Sequence, residues 1–285
     1  MRTHRIRVGV LTLLGLAACL LLPGNAALAT PVISIDTLPE WSDALGGGGG
    51  GGGYIEAVEA DTFKAMIDDG LPGEWPEPYE TAIFCTPHLY VMEHADGGGR
   101  EEPALVMSWG DQVATGQDPP QLGDRVAAAW DFVYTEDPPF SSSNWIEFSI
   151  HAPFPGMYVS VNLIGEGGLS YREWIWLVGD PQDPTRIPAC IWTDVIINPV
   201  TGASNYAYEK YFEHGELDFN NIERIRFDEN GIWSPEFQQG DPSGLGLVWN
   251  AWDHVAVNPE PATMLLLGGG LLALARRRRR RKSPC

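Results

Sequence analysis

From Thr81 onward the apolar residues alternate with polar ones in short runs, broken by clusters of Gly, Pro, Asn and Asp. This is the period-two signature of strands that bury one face. Ile146, Phe148 and Ile150 alternate with Glu147 and Ser149, and Val159, Val161 and Leu163 alternate with Ser160 and Asn162. Each run predicts one core face and one solvent face. Similar runs predict strands over residues 104–109, 126–134, 171–178, 191–197, 205–212, 222–227 and 245–257. Upstream, Ile55, Val58, Phe63, Met66 and Ile67 fall at helical spacing and predict one short amphipathic helix over residues 55–68. With no regularly spaced helices between the strands and no internal repeat, the pattern predicts a mainly β fold. The expected form is an antiparallel β-sandwich, jelly-roll-like in its winding. Asn230-Gly231, between one apolar run and Ile232-Trp233, predicts a hairpin turn at positive φ.

The ends follow other rules. Arg2, Arg5 and Arg7 precede an apolar stretch over residues 8–22, then Pro23-Gly24 and the small residues Ala27-Leu28-Ala29. That order predicts a signal peptide over residues 1–29, read by signal peptidase at Ala27 and Ala29. Leu16-Ala17-Ala18-Cys19 is similar to a lipoprotein box, but the apolar run continues past Cys19 through Leu22. Residues 30–53 form a lead and a polyglycine tract, eight glycines over 46–53. Without side chains to bury, that tract predicts a flexible linker, with the folded body over 54–257.

At the other end, Pro259-Glu260-Pro261 is followed by an uncharged run over 262–275, then by Arg276, Arg277, Arg278, Arg279, Arg280, Arg281 and Lys282. Fourteen residues rise about 21 Å as a helix against a hydrocarbon core of roughly 30 Å. The expected C-terminal membrane helix is therefore a weak one, with its cations held on the cytoplasmic side as a membrane stop. The stretch 258–285 resembles the C-terminal sorting signal of bacterial PEP-CTERM proteins, on Asn258 to Thr263, Leu265-Leu266-Leu267-Gly268 and the arginine cluster. The resemblance implies a membrane transpeptidase, the exosortase, acting at Pro259, Glu260 and Pro261. It also implies transient anchoring, release of the body to the cell surface or outside, and loss of the helix and arginines.

Charge narrows the partners. All 38 acidic residues lie between Asp36 and Glu260, a stretch that holds eight of the 18 basic ones, an excess of 30 negative charges. Nucleic acid is excluded, because a polyanion needs clustered cations. An acidic shell that attracts cations diffusely is expected, with a specific calcium site the sharper alternative. Only Cys85 and Cys190 remain between the two processed ends, in a compartment where disulfides persist, so a Cys85–Cys190 bridge is expected.

Candidate chemistry is sparse. His214, Glu216 and Asp218 alternate and would share one face of a strand, where a divalent ion could be held. With Leu217 and Phe219 on the other face, an ordinary half-exposed strand is the preferred reading. Cys85, His88 and His94 lack a fourth ligand at zinc spacing. Asp228-Glu229-Asn230-Gly231 fails as a calcium loop, because glycine falls at position four and Gln239 at position twelve. Gly168-Leu169-Ser170-Tyr171-Arg172 lacks the closing glycine of a nucleophile elbow. Trp174 with Trp176, and Tyr206 with Tyr208, form aromatic rows that either pack inward or stack on sugar rings. The sequence therefore predicts a non-enzymatic surface or matrix protein without a cofactor. A carbohydrate-binding module for extracellular polysaccharide, calcium-dependent or not, is the alternative, and a secreted glycan-active enzyme the third reading.

Overall fold

The computed structural model describes residues 47–48, 53–70, 78–92, 103–135, 144–233 and 249–259, all within the unit Thr30–Glu260. The predicted signal peptide with Ala27 and Ala29 lies outside the described residues. So do Glu260, Pro261, the predicted membrane helix, and Arg276 to Lys282. Among the described residues no helix is long and apolar enough to cross a membrane.

The elements are β1 (Gly47–Gly48), β2 (Gly53–Ala57), α1 (Ala60–Gly70), β3 (Ile83–Met92), β4 (Ala104–Val113), β5 (Arg125–Tyr134), β6 (Asn144–His151), β7 (Tyr158–Gly165), β8 (Tyr171–Gly179), β9 (Ile187–Pro188), β10 (Thr193–Ile197), β11 (Lys210–His214), β12 (Ile222–Ile232) and β13 (Trp249–Pro259). A single 3-10 turn, Glu166–Gly168, links β7 to β8. The strands follow the order β10-β6-β13-β4-β3-β5-β12-β7-β8-β11, with β2 added to β5, β1 to β2 and β9 to β8. The expected mainly β, sheet-rich sandwich is what forms.

Strand β3 joins the two halves. Its first residues, Ile83 and Phe84, run parallel to Val126 and Ala127 of β5, while the rest pairs antiparallel with β4. The register shifts between Cys85 and Pro87, where proline has no N–H to give the ladder. On one side lies β10-β6-β13-β4, and on the other β11-β8-β7-β12-β5-β2. The chain crosses between them repeatedly, at β4 to β5, β5 to β6, β6 to β7, β9 to β10, β10 to β11 and β12 to β13.

Alternation decides what fills the space between the halves. Val126, Ala128, Trp130 and Phe132 of β5, Val159, Val161 and Leu163 of β7, and Ile225 and Phe227 of β12 are buried in one cluster. That cluster also holds Ile146, Phe148 and Ile150 of β6 and Trp252, Val255 and Val257 of β13. Four rings knit it: Trp130 stacks on Phe227 at 4.4 Å, and Trp252 meets Trp130, Phe148 and Phe227 at 6.0, 5.4 and 5.2 Å. Such pairs add roughly 0.5–1.5 kcal/mol each beyond area burial.

A second cluster lies on the opposite face of β5, β7 and β8. There Phe63 and Ile67 of α1, with Tyr79, Ala82 and Phe84, pack with Ala127, Ala129, Tyr158 and Ile175. Helix α1 buries Ala60, Phe63 and Ile67, one side of the cylinder. Its start is fixed from outside: Ala60 N donates to Thr86 Oγ1 at 2.9 Å, and Asp61 accepts from the Thr115 amide and hydroxyl at 2.6 and 2.7 Å. These bonds hold the Asp61 carboxyl below its ordinary range.

Four expectations change. The helix is shorter than residues 55–68, because Ile55 and its neighbours join β2 against β5 and only residues from Ala60 turn helical. Within the polyglycine tract, Gly47 and Gly48 pair with Ile55 and Tyr54. Residues 205–209 are not strand, and β11 begins only at Lys210. The Asn230-Gly231 hairpin does not exist: β12 runs unbroken through both, paired with β5 to Ile232 and with β7 to Asn230. Gly231 passes close to the core there, since a Cβ would lie 3.0 Å from the Trp109 ring.

The expected disulfide is also corrected. Cys85 and Cys190 are both free thiols. Cys85 is buried in the core, where burial pushes its thiol up to about 12. Cys190 lies exposed after β9, held at φ 61°, with its Sγ donating to Pro153 O at 2.9 Å. The pattern of the chain sends the two to different environments, a strand of the core and a surface turn.

Candidate functional site

Strand register assembles a polar site on the face beneath α1. One row across the sheet reads Glu56 (β2), Asp131 (β5), Arg226 (β12), Asn162 (β7), Glu173 (β8) and Phe212 (β11). The next row on one side carries Ala129, Asp228, Ser160 and Ile175. On the other side run Val133, Arg224, Ile164, Tyr171 and His214. These residues are an even number of positions apart along each strand, so they share a face. Asp131, Ser160, Asn162, Glu173, Arg226 and Asp228 are all buried.

Two subclusters divide the charge. Arg226 grips Asp131 with a two-pronged contact, Nε to Oδ1 at 2.7 Å and Nη2 to Oδ2 at 2.9 Å. Its third nitrogen, Nη1, reaches Met66 Sδ at 3.0 Å, and the guanidinium lies over the Phe63 ring at 5.6 Å. Burial opposes its charge, but Asp131 outweighs that and keeps Arg226 protonated. Arg224 Nη1 adds a contact to Asp131 at 3.2 Å and lies 3.6 Å from Glu56. The arginine–aspartate pair thus binds α1 to the sheet through Met66 and Phe63.

The other subcluster centres on Tyr79. Its hydroxyl contacts Glu173 Oε1 and, at 2.8 Å, Asp228 Oδ1. Ser160 Oγ donates to Glu173 Oε1 at 3.0 Å, and Asn162 Nδ2 to Asp228 Oδ2 at 2.8 Å. A phenol has one proton to give. Both contacts close only if one carboxyl is itself protonated and donates to the Tyr79 oxygen. Burial, then the charge of Asp228, raises the Glu173 carboxyl well above the ordinary range, so Glu173 holds that proton. Burial raises Asp228 too, but the Tyr79 and Asn162 donors and the charge of Arg226 oppose the shift. Burial and both carboxylates push the Tyr79 phenol up, so it stays protonated. The chain of donors runs from Ser160 to Glu173, to Tyr79, to Asp228, with Asn162 donating from the far side.

A cavity of about 340 Å³ adjoins this network. It lies over the Arg224–Ile164–Tyr171–His214 row, with Thr62, Met66 and Asp69 of α1 along one wall and Gly167, Gly168 and Glu223 along another. The glycines sit at φ 66° and 70°, a left-handed conformation that L side chains resist. Gly167 N donates to Glu223 Oε2 at 2.9 Å, and Asn221 Nδ2 to Glu166 Oε2 at 3.0 Å, which fixes the turn. Tyr171 stacks on His214 with ring centroids 5.7 Å apart.

The sites expected from sequence are placed differently. β11 ends at His214, Gly215 turns the chain at φ 66°, and Glu216 and Asp218 lie exposed in the following loop. The three are therefore not one strand face, and among the described residues no group of three His, Cys, Asp or Glu is gathered for a metal. Trp174 and Trp176 point into the core and are buried, so they offer no ring to a sugar. Tyr206 packs partly against that core and its carbonyl accepts from Trp176 Nε1 at 3.3 Å, while Tyr208 is exposed 6.5 Å from the Tyr211 ring. Pro259 closes β13, paired with Asn144 of β6. The buried network of Tyr79, Asp131, Glu173, Arg226 and Asp228 was not anticipated.

Comparison with known proteins bears on the tail. Residues 259–280 match the model of the PEP-CTERM protein-sorting motif. No curated protein matches the chain. Among solved structures, an exo-β-agarase is similar at TM-score 0.38 and 12% identity over 65% of this chain, which spans only 24% of that enzyme. A family 11 carbohydrate-binding module from Clostridium thermocellum, in complex with a β-1,3-1,4-mixed-linked tetrasaccharide, is similar at TM-score 0.36 and 11% identity, over 73% of this chain and 96% of the module. Likeness this slight assigns neither ligand nor activity. The Pro-Glu-Pro element, the apolar run and the arginines fall in or directly beside the matched residues, so the chain carries a PEP-CTERM protein-sorting motif at 259–280, and that motif implies export, membrane anchoring and exosortase sorting.

Proposed function

We propose that the body is a non-catalytic, acidic β-sandwich of jelly-roll winding, delivered to the cell surface or extracellular matrix by exosortase and retained there as a structural component. The observation that carries this reading is the junction of fold and signal. Strand β13, flanked by β4 and β6, runs to Pro259, the first residue of the matched motif. The signal is thus fused to an interior strand of the body with no spacer between them, an arrangement suited to anchoring a folded domain.

The frequent crossing between the halves supports the jelly-roll winding. A structural role is supported by the coupled carboxyl pair Glu173 and Asp228, which is closed over by Tyr79 and spent on holding the 78–82 segment to the sheet. Its acidic surface gathers cations diffusely and needs no bound cofactor.

Localisation of the full chain and of a Pro259→Ala, Glu260→Ala, Pro261→Ala variant, in cells with and without an exosortase, tests the proposal. Surface or medium delivery that needs both the motif and the enzyme is expected. Equal delivery of the variant, or turnover of a polysaccharide by the exported body, refutes it.

A further inference from the structure

We propose that helix α1 and residues 78–82 form a cover held to the sheet by a proton latch at Tyr79, closed in acidic surroundings and lifted as the medium turns alkaline. This goes beyond the structural role proposed above, because it gives one part of the body a second state. The latch follows from the proton count: Tyr79 Oη meets both Glu173 Oε1 and Asp228 Oδ1, and all three side chains are buried. Removing the carboxyl proton leaves two carboxylates against one phenol. Water relieves that repulsion, and it reaches the pair when Tyr79 withdraws. The cover is separable from the sandwich, since Phe63, Ile67, Tyr79 and Ala82 belong to the second apolar cluster and not to the main core. Beneath it lie Asp131, Ser160, Asn162, Glu173, Arg226 and Asp228, groups that water solvates readily. The Ala60 end of α1 is tied to Thr86 and Thr115 outside the latch and serves as the hinge.

No neighbouring group takes the place of the lost proton. On β12, Arg226 commits Nε and Nη2 to Asp131 of β5 and Nη1 to Met66 Sδ, and Arg224 turns to Asp131 and Glu56. Arg125 of β5 bonds Asn230 and lies over the Tyr158 ring. Ser160 and Asn162 of β7 already donate to the pair. On β8, burial and then the charge of Glu173 raise the Tyr171 phenol, so it stays neutral. From α1, Lys64 pairs with Asp68 at 2.6 Å and Asp61 accepts from Thr115, while Asp69 is exposed. Glu80 beside Tyr79 is exposed as well, and β3 brings only the Phe84 ring.

Hydrogen–deuterium exchange of the mature protein, read by mass spectrometry at pH 5.5 and 7.5 and corrected for the intrinsic exchange rate, is the test. Burial and then Asp228 raise the Glu173 carboxyl in the closed state. Its proton therefore favours closure fully below the open-state value near 4.3 and less as pH climbs, so opening rises by about tenfold per pH unit. Peptides from residues 60–70 and 78–82 are expected to lose protection together, ahead of β6 and β13, by about thirty- to hundredfold between the two pH values. Glu173→Gln, which meets Tyr79 without a titrating proton, should flatten that dependence. Tyr79→Phe removes the phenol and should lower the protection of α1 at pH 5.5 by about tenfold while β6 and β13 keep theirs, and it decides the matter if Glu173→Gln fails to fold. Protection of α1 that tracks β6 and β13 at both pH values overturns the proposal. So does a wild-type pH dependence in folded Glu173→Gln, or wild-type protection in Tyr79→Phe.

Discussion

Replacing Glu173 by Gln should leave the protein nearly as stable at pH 5 and make it more stable than wild type at pH 7. Gln presents its amide nitrogen where Glu173 Oε1 meets both Tyr79 and Ser160, and its two N–H groups donate to the Tyr79 and Ser160 oxygens, with the Ser160 hydroxyl turned from donor to acceptor. A carboxyl whose folded pKa is raised contributes stability that is fully present below the unfolded value near 4.3 and is lost as pH climbs toward the folded value. The slope is at most about 1.4 kcal/mol per pH unit for one proton, so two units give a relative gain of up to about 2–3 kcal/mol for Glu173→Gln. Asp228→Asn breaks the same network differently. The position accepts from Tyr79 and Asn162, and an amide nitrogen facing either donor leaves it unpaired, at a cost of about 1–3 kcal/mol at both pH values. Denaturant unfolding of the mature protein and both variants at pH 5 and 7 measures these differences. A Glu173→Gln variant destabilised equally at both pH values would show that Glu173 acts as an anion and refute the proton count.

Glu229 faces the sandwich interior opposite Ala128 and Val159, fully buried, with neither oxygen hydrogen-bonded among the described residues, and burial raises its carboxyl well above the ordinary range. Glu229→Met, close in volume, should therefore stabilise the fold by about 1–3 kcal/mol, and by more as pH rises from 5 to 8, as read by denaturant melts. Gly231→Ala brings a Cβ to 3.0 Å from the buried Trp109 ring, which must give by a few tenths of an ångström, so a cost of about 1 kcal/mol is expected, and equal melting temperatures would sink that reading. Alkylation of the mature protein without reductant should label Cys190 in the native state and Cys85 only after unfolding, whereas protection of both until reduction would restore the disulfide.

The strands with one apolar and one neutral face were legible, because alternation sets both the strand and its burial. Ile146, Phe148 and Ile150, and Val159, Val161 and Leu163, all entered the core as the pattern demands. The site was not, because the same alternation places Ser160, Asn162 and Glu173 on a face that reads as solvent, and nothing in those strands announces that α1 and Tyr79 cover it. One sign was present: Arg224, Arg226, Asp228 and Asn230 keep period two past Phe227. Glu229 then lands on the apolar side and Gly231 follows, and the Asp-Glu-Asn-Gly string reads as a turn. The strand survives because those polar side chains find partners distant in sequence, Asp228 with Tyr79 and Asn162, and Asn230 with Arg125 and Pro78 O. Local spacing carries no trace of such pairs. Trp174 and Trp176 were ambiguous for the same reason, since a row of rings suits either a core or a sugar.

The intact mass of the exported protein from exosortase-bearing cells tests the account most directly. The account predicts a chain that begins at Thr30 and ends near Pro259-Glu260-Pro261, without Arg276 to Lys282. Recovery of an extracellular body that still carries those arginines would contradict it.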